Sequence, residues 1–194
     1  MNVENLDGDR VFLVHEFLSK EECSSLIQRS ERMRYEMGTV GGEVYEQARN
    51  NERVMFDDPD LAKELFERAR PFLPPIIDQH VLVGFNERWR FYRYRQGQTF
   101  KPHRDGSYSR FDVSESSELT FMIYLNDQMT GGETRFYENM MMAFRRIPYL
   151  SVHPKTGAAL VFIHRITHEG AVVESGQKYV LRTDVMYGLP EKNK

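Results

Sequence analysis

His103 and Asp105 stand two residues apart, and this spacing makes them candidates for binding one metal ion. In an extended strand, side chains two positions apart point to the same face, at a backbone separation of roughly 6–7 Å. An imidazole nitrogen and a carboxylate oxygen can therefore converge on a single cation. The pair alone fits a turn in which Asp105 caps Gly106 equally well. The His-Arg-Asp string also occurs in protein kinases, but this chain has no glycine-rich phosphate loop, so we exclude that function.

A third ligand would complete a set of two histidines and one carboxylate. Such a set occupies one face of an octahedral iron and leaves three positions open for a co-substrate and oxygen. The sequence offers five further histidines: His15, His80, His153, His164 and His168. We favour His168, because Lys178 follows ten residues later, where the next strand would return a cation to the same interior. For His164 we favour a structural role at a strand end.

Two helices are predicted in the first part of the chain. Ser19 and Glu22 form the S-x-x-E pattern of a capping box ahead of an amphipathic segment. The second helix is predicted to start at Pro59, which is a favourable first residue after the candidate cap Asp58. We therefore expect residues 1–87 to form a helical region that supports the remainder of the chain.

Short strands dominate the rest of the chain. Eight runs rich in aromatic and β-branched residues are predicted as strands: 88–95, 99–103, 119–126, 133–137, 148–153, 158–163, 168–173 and 178–187. Such runs, separated by Gly, Pro and polar turns, are typical of an antiparallel barrel or sandwich. We predict a mainly β fold with flanking helices, a double-stranded β-helix (jelly roll) with the two N-terminal helices packed on one sheet. Residues 1–194 are expected to form a single domain with its jelly-roll core at 88–187.

Composition limits the possible classes of protein. The 194 residues include 26 Lys plus Arg against 29 Asp plus Glu, a net charge of −3, and 40% of residues are hydrophobic. These values favour a folded core over disorder and give little reason to expect nucleic-acid binding. Cys23 is the single cysteine, so a metal site within the chain must use His, Asp or Glu. Because apolar runs are short and the N-terminal segment is polar, we predict a soluble cytoplasmic protein without membrane contact.

Several motifs occur in an order that resembles the Fe(II)/2-oxoglutarate oxygenases, and within them the prolyl 4-hydroxylase-like branch. They are Tyr94-x-x-Gly97-Gln98, His103-x-Asp105, the strand from Leu119 to Asn126, Gly131-Gly132 with Thr134 and Phe136, Pro154 to Gly157, and His168-Glu-Gly170 with Lys178. The set covers most of residues 88–187 and is more specific than any single motif. Phe100 departs from the pattern, since relatives often carry a tyrosine there.

The resemblance implies a metal site and a co-substrate. His103, Asp105 and His168 would bind Fe(II), and 2-oxoglutarate would chelate the ion through its 1-carboxylate and keto oxygen. Dioxygen is the second co-substrate, and ascorbate is a candidate additional cofactor. These implied ligands are the same three residues that the spacing argument favours.

The resemblance also implies which residues bind the rest of 2-oxoglutarate. Lys178 would bind the distal carboxylate, with the hydroxyl of Tyr124 completing the hydrogen bonds. Tyr94 would contact the co-substrate or line the entrance for the substrate. Arg182 lies on the same predicted strand face as Lys178 and is the competing candidate, for the co-substrate or for the substrate.

The implied activity is hydroxylation of an unactivated C–H bond, coupled to oxidative decarboxylation of 2-oxoglutarate to succinate and carbon dioxide. A peptidyl proline or another protein residue is the substrate that the resemblance favours, with a small anionic metabolite as the alternative. The competing hypothesis from another class is a jelly roll that binds a small carboxylate or a protein without catalysis.

Two segments keep open roles at this point. Residues 49–53 are candidates for a lid over the mouth of the barrel. The run from Met140 to Met142 fits core filling at least as well as a flexible hydrophobic lip.

Overall fold

Strands form most of the regular structure in the computed structural model, which describes residues 1–40, 43–44, 47–112 and 114–190. In chain order the strands are β1 (Asn2–Asp7), β2 (Val11–His15), β3 (Glu36–Met37), β4 (Thr39–Val40), β5 (Glu43–Val44), β6 (Glu52–Asp57), β7 (Ile76–Ile77), β8 (His80–Phe85), β9 (Arg88–Tyr94), β10 (Phe100–His103), β11 (Glu115–Tyr124), β12 (Thr130–Gly131), β13 (Thr134–Tyr137), β14 (Leu150–Val152), β15 (Ala159–Ile163), β16 (Thr167–Gly170), β17 (Val173–Ser175) and β18 (Lys178–Gly188). The helices are α1 (Lys20–Glu31), α2 (Pro59–Ala69) and α3 (Met140–Phe144), and a 3₁₀ turn covers Arg70–Phe72. Within the described ranges, none of the helices combines the length and apolar character that crossing a bilayer requires.

Two antiparallel sheets enclose the interior. The large sheet has the order β1-β2-β15-β11-β18-β9-β6-β3, with β8 added to β18 and β7 to β8. The small sheet has the order β10-β16-β13-β14. The eight predicted strands all occur, four in the large sheet (β9, β11, β15, β18) and four in the small sheet (β10, β13, β14, β16). The predicted jelly roll is therefore confirmed.

Both long helices begin where the sequence predicts. The Ser19 hydroxyl accepts a hydrogen bond from the Glu22 amide at 3.1 Å, and the Glu22 carboxylate accepts one from the Ser19 amide at 2.7 Å. This reciprocal pair satisfies two amides at the start of α1. At α2, the Asp58 carboxylate accepts from the Leu61 amide at 3.0 Å, and Pro59 is the first helical residue.

Alternation along β9 separates two apolar layers. Trp89 and Phe91 are fully buried in a cluster that also contains Leu65 of α2 and Cys23 of α1. One face of the large sheet is thus covered by helices. The opposite face of the large sheet carries a second apolar cluster. On β9 this cluster includes Tyr92, which packs with residues of the small sheet. This second layer, between the sheets, contains the candidate site.

Residues 1–87 contain strands as well as the two predicted helices. The largest are β1, β6 and β8, and all three extend the large sheet. Their apolar runs are short and do not alternate cleanly, so periodicity does not separate them from other buried segments. The first part of the chain therefore contributes sheet edges as well as helices.

Candidate metal centre and co-substrate pocket

The three predicted metal ligands lie together between the sheets. His103 ends β10 and is the direct cross-strand neighbour of His168 on β16, and Asp105 follows β10 by two residues. One donor atom from each residue lies within 4.8 Å of the others. The Asp105 carboxylate lies 3.7 Å from Nε2 of His103 and 3.6 Å from Nε2 of His168. The structure therefore brings the three side chains to one point.

The two imidazoles are held with the same nitrogen turned toward that point. Nδ1 of His103 lies 2.8 Å from the Lys101 carbonyl oxygen, and Nδ1 of His168 lies 3.0 Å from the Ile166 carbonyl oxygen. A carbonyl oxygen only accepts hydrogen bonds, so each Nδ1 carries the proton. Each Nε2 then has a free lone pair directed at Asp105. Outer hydrogen bonds of this kind orient histidine ligands in metal sites.

The electrostatics of the site favour its metal-binding protonation states. Burial, reinforced by His103, lowers the pKa of His168 to about 3, so its imidazole is neutral at ordinary pH. Burial opposes ionisation of Asp105, but its neighbours, Arg182 foremost, outweigh burial and hold the pKa of that carboxyl well below its usual range. Neutral imidazoles and an ionised carboxylate are the forms that coordinate metals. The donor set therefore fits a ferrous ion with three positions left open.

Asp105 has further partners on its other side. The Thr120 hydroxyl donates to Oδ2 of Asp105 at 2.6 Å, and Nη2 of Arg182 lies 3.2 Å from the same oxygen. Arg182 also contacts Asp184 at 3.1 Å. Arg182 lines the interior pocket, as its strand position predicts. Its guanidinium is already paired with the carboxylates of Asp105 and Asp184. Its geometry favours a role in orienting Asp105 over that of the main co-substrate anchor.

Lys178 is a buried cation at the other end of the same pocket. Only 2% of the residue is exposed, and Nζ donates to the Gly132 carbonyl oxygen at 2.6 Å. Burial lowers the pKa of Lys178 to about 7, and Glu133 opposes the shift. In the described ranges, no carboxylate forms a salt bridge with Nζ. The arrangement suits an incoming anion, because a buried ammonium gains most from a charged partner.

Tyr94 and Tyr124 flank Lys178. Its Nζ lies 5.3 Å from the ring centroid of each tyrosine. The Tyr124 hydroxyl forms a hydrogen bond of 2.7 Å with Oγ1 of Thr134. The Tyr94 hydroxyl has no hydrogen-bond partner in the part of the chain that the structure describes. Burial raises the pKa of both tyrosines, so each hydroxyl keeps its proton at ordinary pH.

One pocket joins the metal ligands to Lys178. Its lining combines titratable, aromatic and apolar side chains from both sheets: Tyr92, Tyr94, Phe100, His103, Asp105, Thr120, Met122, Thr134, Phe162, His168, Gly170, Lys178, Val180 and Arg182. All seven residues that the sequence analysis singled out belong to this set or, for Tyr124, contact it through Thr134. Thr120 and Thr134 were missed, although Thr120 lies on the strand face of Tyr124.

His164 lies outside the cluster of three ligands. It is 3% exposed, and its ring nitrogens contact the hydroxyls of Thr120 at 3.0 Å and Ser117 at 2.9 Å. Because the Thr120 hydroxyl donates to Asp105, it accepts from His164, which fixes the neutral tautomer. His164 thus supports the site through Thr120, in line with the structural role that we favour for it.

The segment 49–53 is built into the edges of both sheets. The Asn50 amide donates to the Thr99 carbonyl oxygen at 3.3 Å, and the Lys101 amide donates to the Ala48 carbonyl oxygen at 2.9 Å. The chain then enters β6, which pairs with β9. The segment closes the open side between the sheets through backbone hydrogen bonds, which favours a fixed wall over a hinged lid.

The run from Met140 to Met142 forms most of α3. Met141 is 60% exposed and Phe144, at the end of the helix, is 82% exposed, whereas Ala143 is buried. The exposure argues against core filling. Neither Met141 nor Phe144 lines the pocket that contains the three candidate metal ligands.

Residues 89–183 match the family model of the 2OG-Fe(II) oxygenase superfamily. Among curated relatives, the Arabidopsis thaliana protein named "Probable prolyl 4-hydroxylase 3" is 27% identical over 172 residues, covering 79% of this chain and 58% of the relative. Prolyl 4-hydroxylase 1 of the same plant is 27% identical over 195 residues, covering 88% of this chain and 66% of the relative. The chain thus spans less than two thirds of either relative.

Solved structures share the fold. The viral collagen prolyl hydroxylase of Paramecium bursaria Chlorella virus-1, in its 2-oxoglutarate complex, aligns with a TM-score of 0.62 at 21% identity, over 93% of this chain and 97% of that one. A prolyl hydroxylase from Trichoplax adhaerens aligns with a TM-score of 0.67 at 15% identity, over 94% and 84% of the two chains. Residues 89–183, which contain the assembled His-Asp-His cluster, thus match the 2OG-Fe(II) oxygenase superfamily, and the chain is similar in sequence to proteins named prolyl 4-hydroxylases and in fold to solved prolyl hydroxylases.

Proposed function

We propose that this chain is an Fe(II)- and 2-oxoglutarate-dependent dioxygenase that hydroxylates an unactivated C–H bond. The observation that carries the proposal is the single pocket in which the three metal-ligating side chains and the buried Lys178 meet. A non-catalytic protein that binds a carboxylate would need the Lys178 cation. Such a protein would not need three oriented metal ligands beside that cation.

His103, Asp105 and His168 would hold the iron through two Nε2 atoms and one carboxylate oxygen. When bound, the ion with 2-oxoglutarate and dioxygen supplies the oxidising power that places an oxygen atom on the substrate. The carbonyl oxygens of Lys101 and Ile166 keep the imidazoles in the productive tautomer. Thr120 and Arg182 keep Asp105 ionised and oriented.

Lys178 would bind the distal carboxylate of 2-oxoglutarate. The anion would compensate the cost of burying the ammonium, and Thr134 with Tyr124 would offer hydroxyl hydrogen bonds beside it. Tyr94 lies opposite Lys178 in the β9–β18 register, so its hydroxyl would face the same ligand. The aromatic rings of Tyr94 and Phe162 line the pocket and would limit the space for water there.

The substrate class is proposed from the relatives. Proteins named prolyl 4-hydroxylases are 27% identical to this chain over the aligned residues, so a peptidyl proline or another protein residue is the first candidate substrate. A small anionic molecule is the second candidate, and the arginines near the pocket favour it. A role for ascorbate and a cytoplasmic location stay predictions.

The proposal is tested by product analysis. The purified chain is incubated with Fe(II), 2-oxoglutarate, dioxygen and a panel of proline-containing peptides and small acids. We expect succinate formation, with a gain of one oxygen in a member of the panel. Replacing His103, Asp105 or His168 by Ala should abolish both signals, whereas Arg32→Gln, an exposed surface change, should leave them intact. Retained succinate formation in a folded His168→Ala variant would reject the proposal.

A further inference from the structure

Arg49 is a buried cation with no anionic partner among the residues that the structure describes. The residue is 4% exposed, and Nε donates to Oδ1 of Asn51 at 2.8 Å. Its Nη2 is buried and has no hydrogen-bond partner within the described part of the chain. No carboxylate in the described ranges forms a salt bridge with it. Because an unpaired buried guanidinium is costly, an anion other than those of the described residues would stabilise it.

The position of Arg49 is built rather than accidental. Its guanidinium lies over the rings of Tyr92 at 4.7 Å and Phe100 at 4.4 Å. Gly38 packs against its side chain so closely that a Cβ at position 38 would collide with it. The backbone on either side of Arg49 is hydrogen-bonded to β10 or to the residue just before it. The guanidinium is therefore fixed in place before any ligand arrives.

Arg49 contacts the wall of the pocket next to the metal ligands. Tyr92 and Phe100 both line that pocket, and the Phe100 ring stacks on the His103 ring with centroids 3.6 Å apart. Nη1 of Arg182 lies 3.4 Å from the Tyr92 hydroxyl. A group bound between the two aromatic side chains would thus lie close to a metal ligand.

The surroundings of Tyr92 are electropositive. Burial raises the pKa of Tyr92, but Arg182, Arg49 and Arg90 outweigh it and bring the pKa below its usual value. Arg182 and Arg90 share the carboxylate of Asp184. Arg49 is the member of this group that no carboxylate of the described residues compensates.

This position is separate from the proposed anchor of 2-oxoglutarate. Lys178 is the register partner of Tyr94, whereas Tyr92 lies two residues before Tyr94 on β9, at a backbone separation of roughly 6–7 Å. The distal carboxylate of 2-oxoglutarate would bind Lys178, and the other end of 2-oxoglutarate would bind the metal. Arg49 is therefore available to a different anion.

We propose that Arg49 binds a carboxylate of the substrate and thereby selects anionic molecules for oxidation beside His103. The inference rests on the proposed function for the identity of the reaction. A planar carboxylate suits the guanidinium fork better than a monodentate anion does. The carboxylate has two possible sources, a free small acid or an acidic side chain next to the target residue of a peptide.

Calorimetric binding to the full chain loaded with Zn(II) and 2-oxoglutarate tests the proposal without turnover. The probes are straight-chain acids from butanoic to octanoic acid with their primary amides, and acetyl-Gly-Pro-Asp-amide with acetyl-Gly-Pro-Asn-amide. We expect the charged member of at least one pair to bind about tenfold or more tightly than the neutral one, as for a charge-assisted hydrogen bond. Preference within the acids or within the peptides identifies the source.

Variants assign any preference to Arg49. Arg49→Gln should reduce the ratio to within about twofold, Arg49→Lys should keep part of it, and the exposed Arg32→Gln should keep all of it. Unchanged affinity for 2-oxoglutarate shows that each variant is folded. Equal binding of charged and neutral probes by the wild-type chain, or an undiminished ratio in folded Arg49→Gln, overturns the inference. Succinate formation with Fe(II) is scored separately, so the proposed function stands or falls independently.

Discussion

Arg182 and Asp105 form an ion pair of 3.2 Å between the middle of β18 and the segment just after β10. Arg182 also pairs with Asp184 at 3.1 Å, and Asp184 pairs with Arg90 at 3.1 Å. These side chains form a chain of alternating charge across the large sheet that ends on a proposed metal ligand. The Asp105 carboxylate is thereby held ionised and oriented before a metal binds.

Removing the guanidinium should weaken the metal site. In Arg182→Gln, Asp105 loses its nearest cation, so its pKa rises and its orientation relaxes. We expect affinity for Mn(II), measured from the electron paramagnetic resonance signal of the free ion, to fall about 10- to 100-fold, as for other outer contacts of metal ligands. Arg145→Gln, at an exposed arginine, is the control. Equal affinity in both variants would contradict this role.

Thr120 should act on the same carboxylate through a hydrogen bond. Thr120→Val keeps the shape of the side chain but removes the hydroxyl that donates to Asp105 and accepts from His164. We expect a loss of about 1–3 kcal/mol in the free energy of unfolding, since a buried ring nitrogen loses its partner. Urea denaturation measures it. Thr120→Ser should restore most of the stability, and failure of that rescue would argue against the hydrogen bond.

The charge on Lys178 predicts how co-substrate binding depends on pH. Burial lowers the pKa of Lys178 to about 7 in the ligand-free protein, so the ammonium is present below that pH and lost above it. The dissociation constant of 2-oxoglutarate for the Zn(II)-loaded protein should therefore rise above about pH 7, by up to about tenfold per pH unit. Lys178→Arg stays protonated and should show no such rise. A pH-independent wild-type constant would contradict the prediction.

Metal binding should stabilise the fold. An ion that binds only the native state at a hundred times its dissociation constant adds about 2.7 kcal/mol. For a chain of this length, this corresponds to a rise in Tm of roughly 5–11 °C. We expect Mn(II) to raise the Tm of the wild-type protein and EDTA to reverse the rise. The same increase in His168→Ala would place the stabilising ion elsewhere.

Local pattern predicts most of the core strands and both helix starts. Ser19 and Asp58 cap their helices because capping depends on neighbouring residues alone. Alternation likewise places Lys178 and Arg182 on one face of β18, which the structure shows.

Long-range pairing is what the sequence does not reveal. The register that sets His103 opposite His168 depends on strands far apart in the chain, so spacing within one strand cannot predict it. The sequence suggests only that residues 49–53 are a candidate lid. It does not predict that the Arg49 guanidinium stacks on Tyr92 and Phe100, because these two rings belong to different sheets. The Thr120 contact to Asp105 is hidden for the same reason, since it joins separate elements.

The most direct measurement is anomalous X-ray diffraction from crystals of the protein soaked with Mn(II) and 2-oxoglutarate. We predict a single strong metal peak within bonding distance of Nε2 of both histidines and a carboxylate oxygen of Asp105. Electron density for the keto acid should extend from that peak to Nζ of Lys178. A metal peak elsewhere, or a keto acid whose distal carboxylate avoids Lys178, would contradict the proposed site.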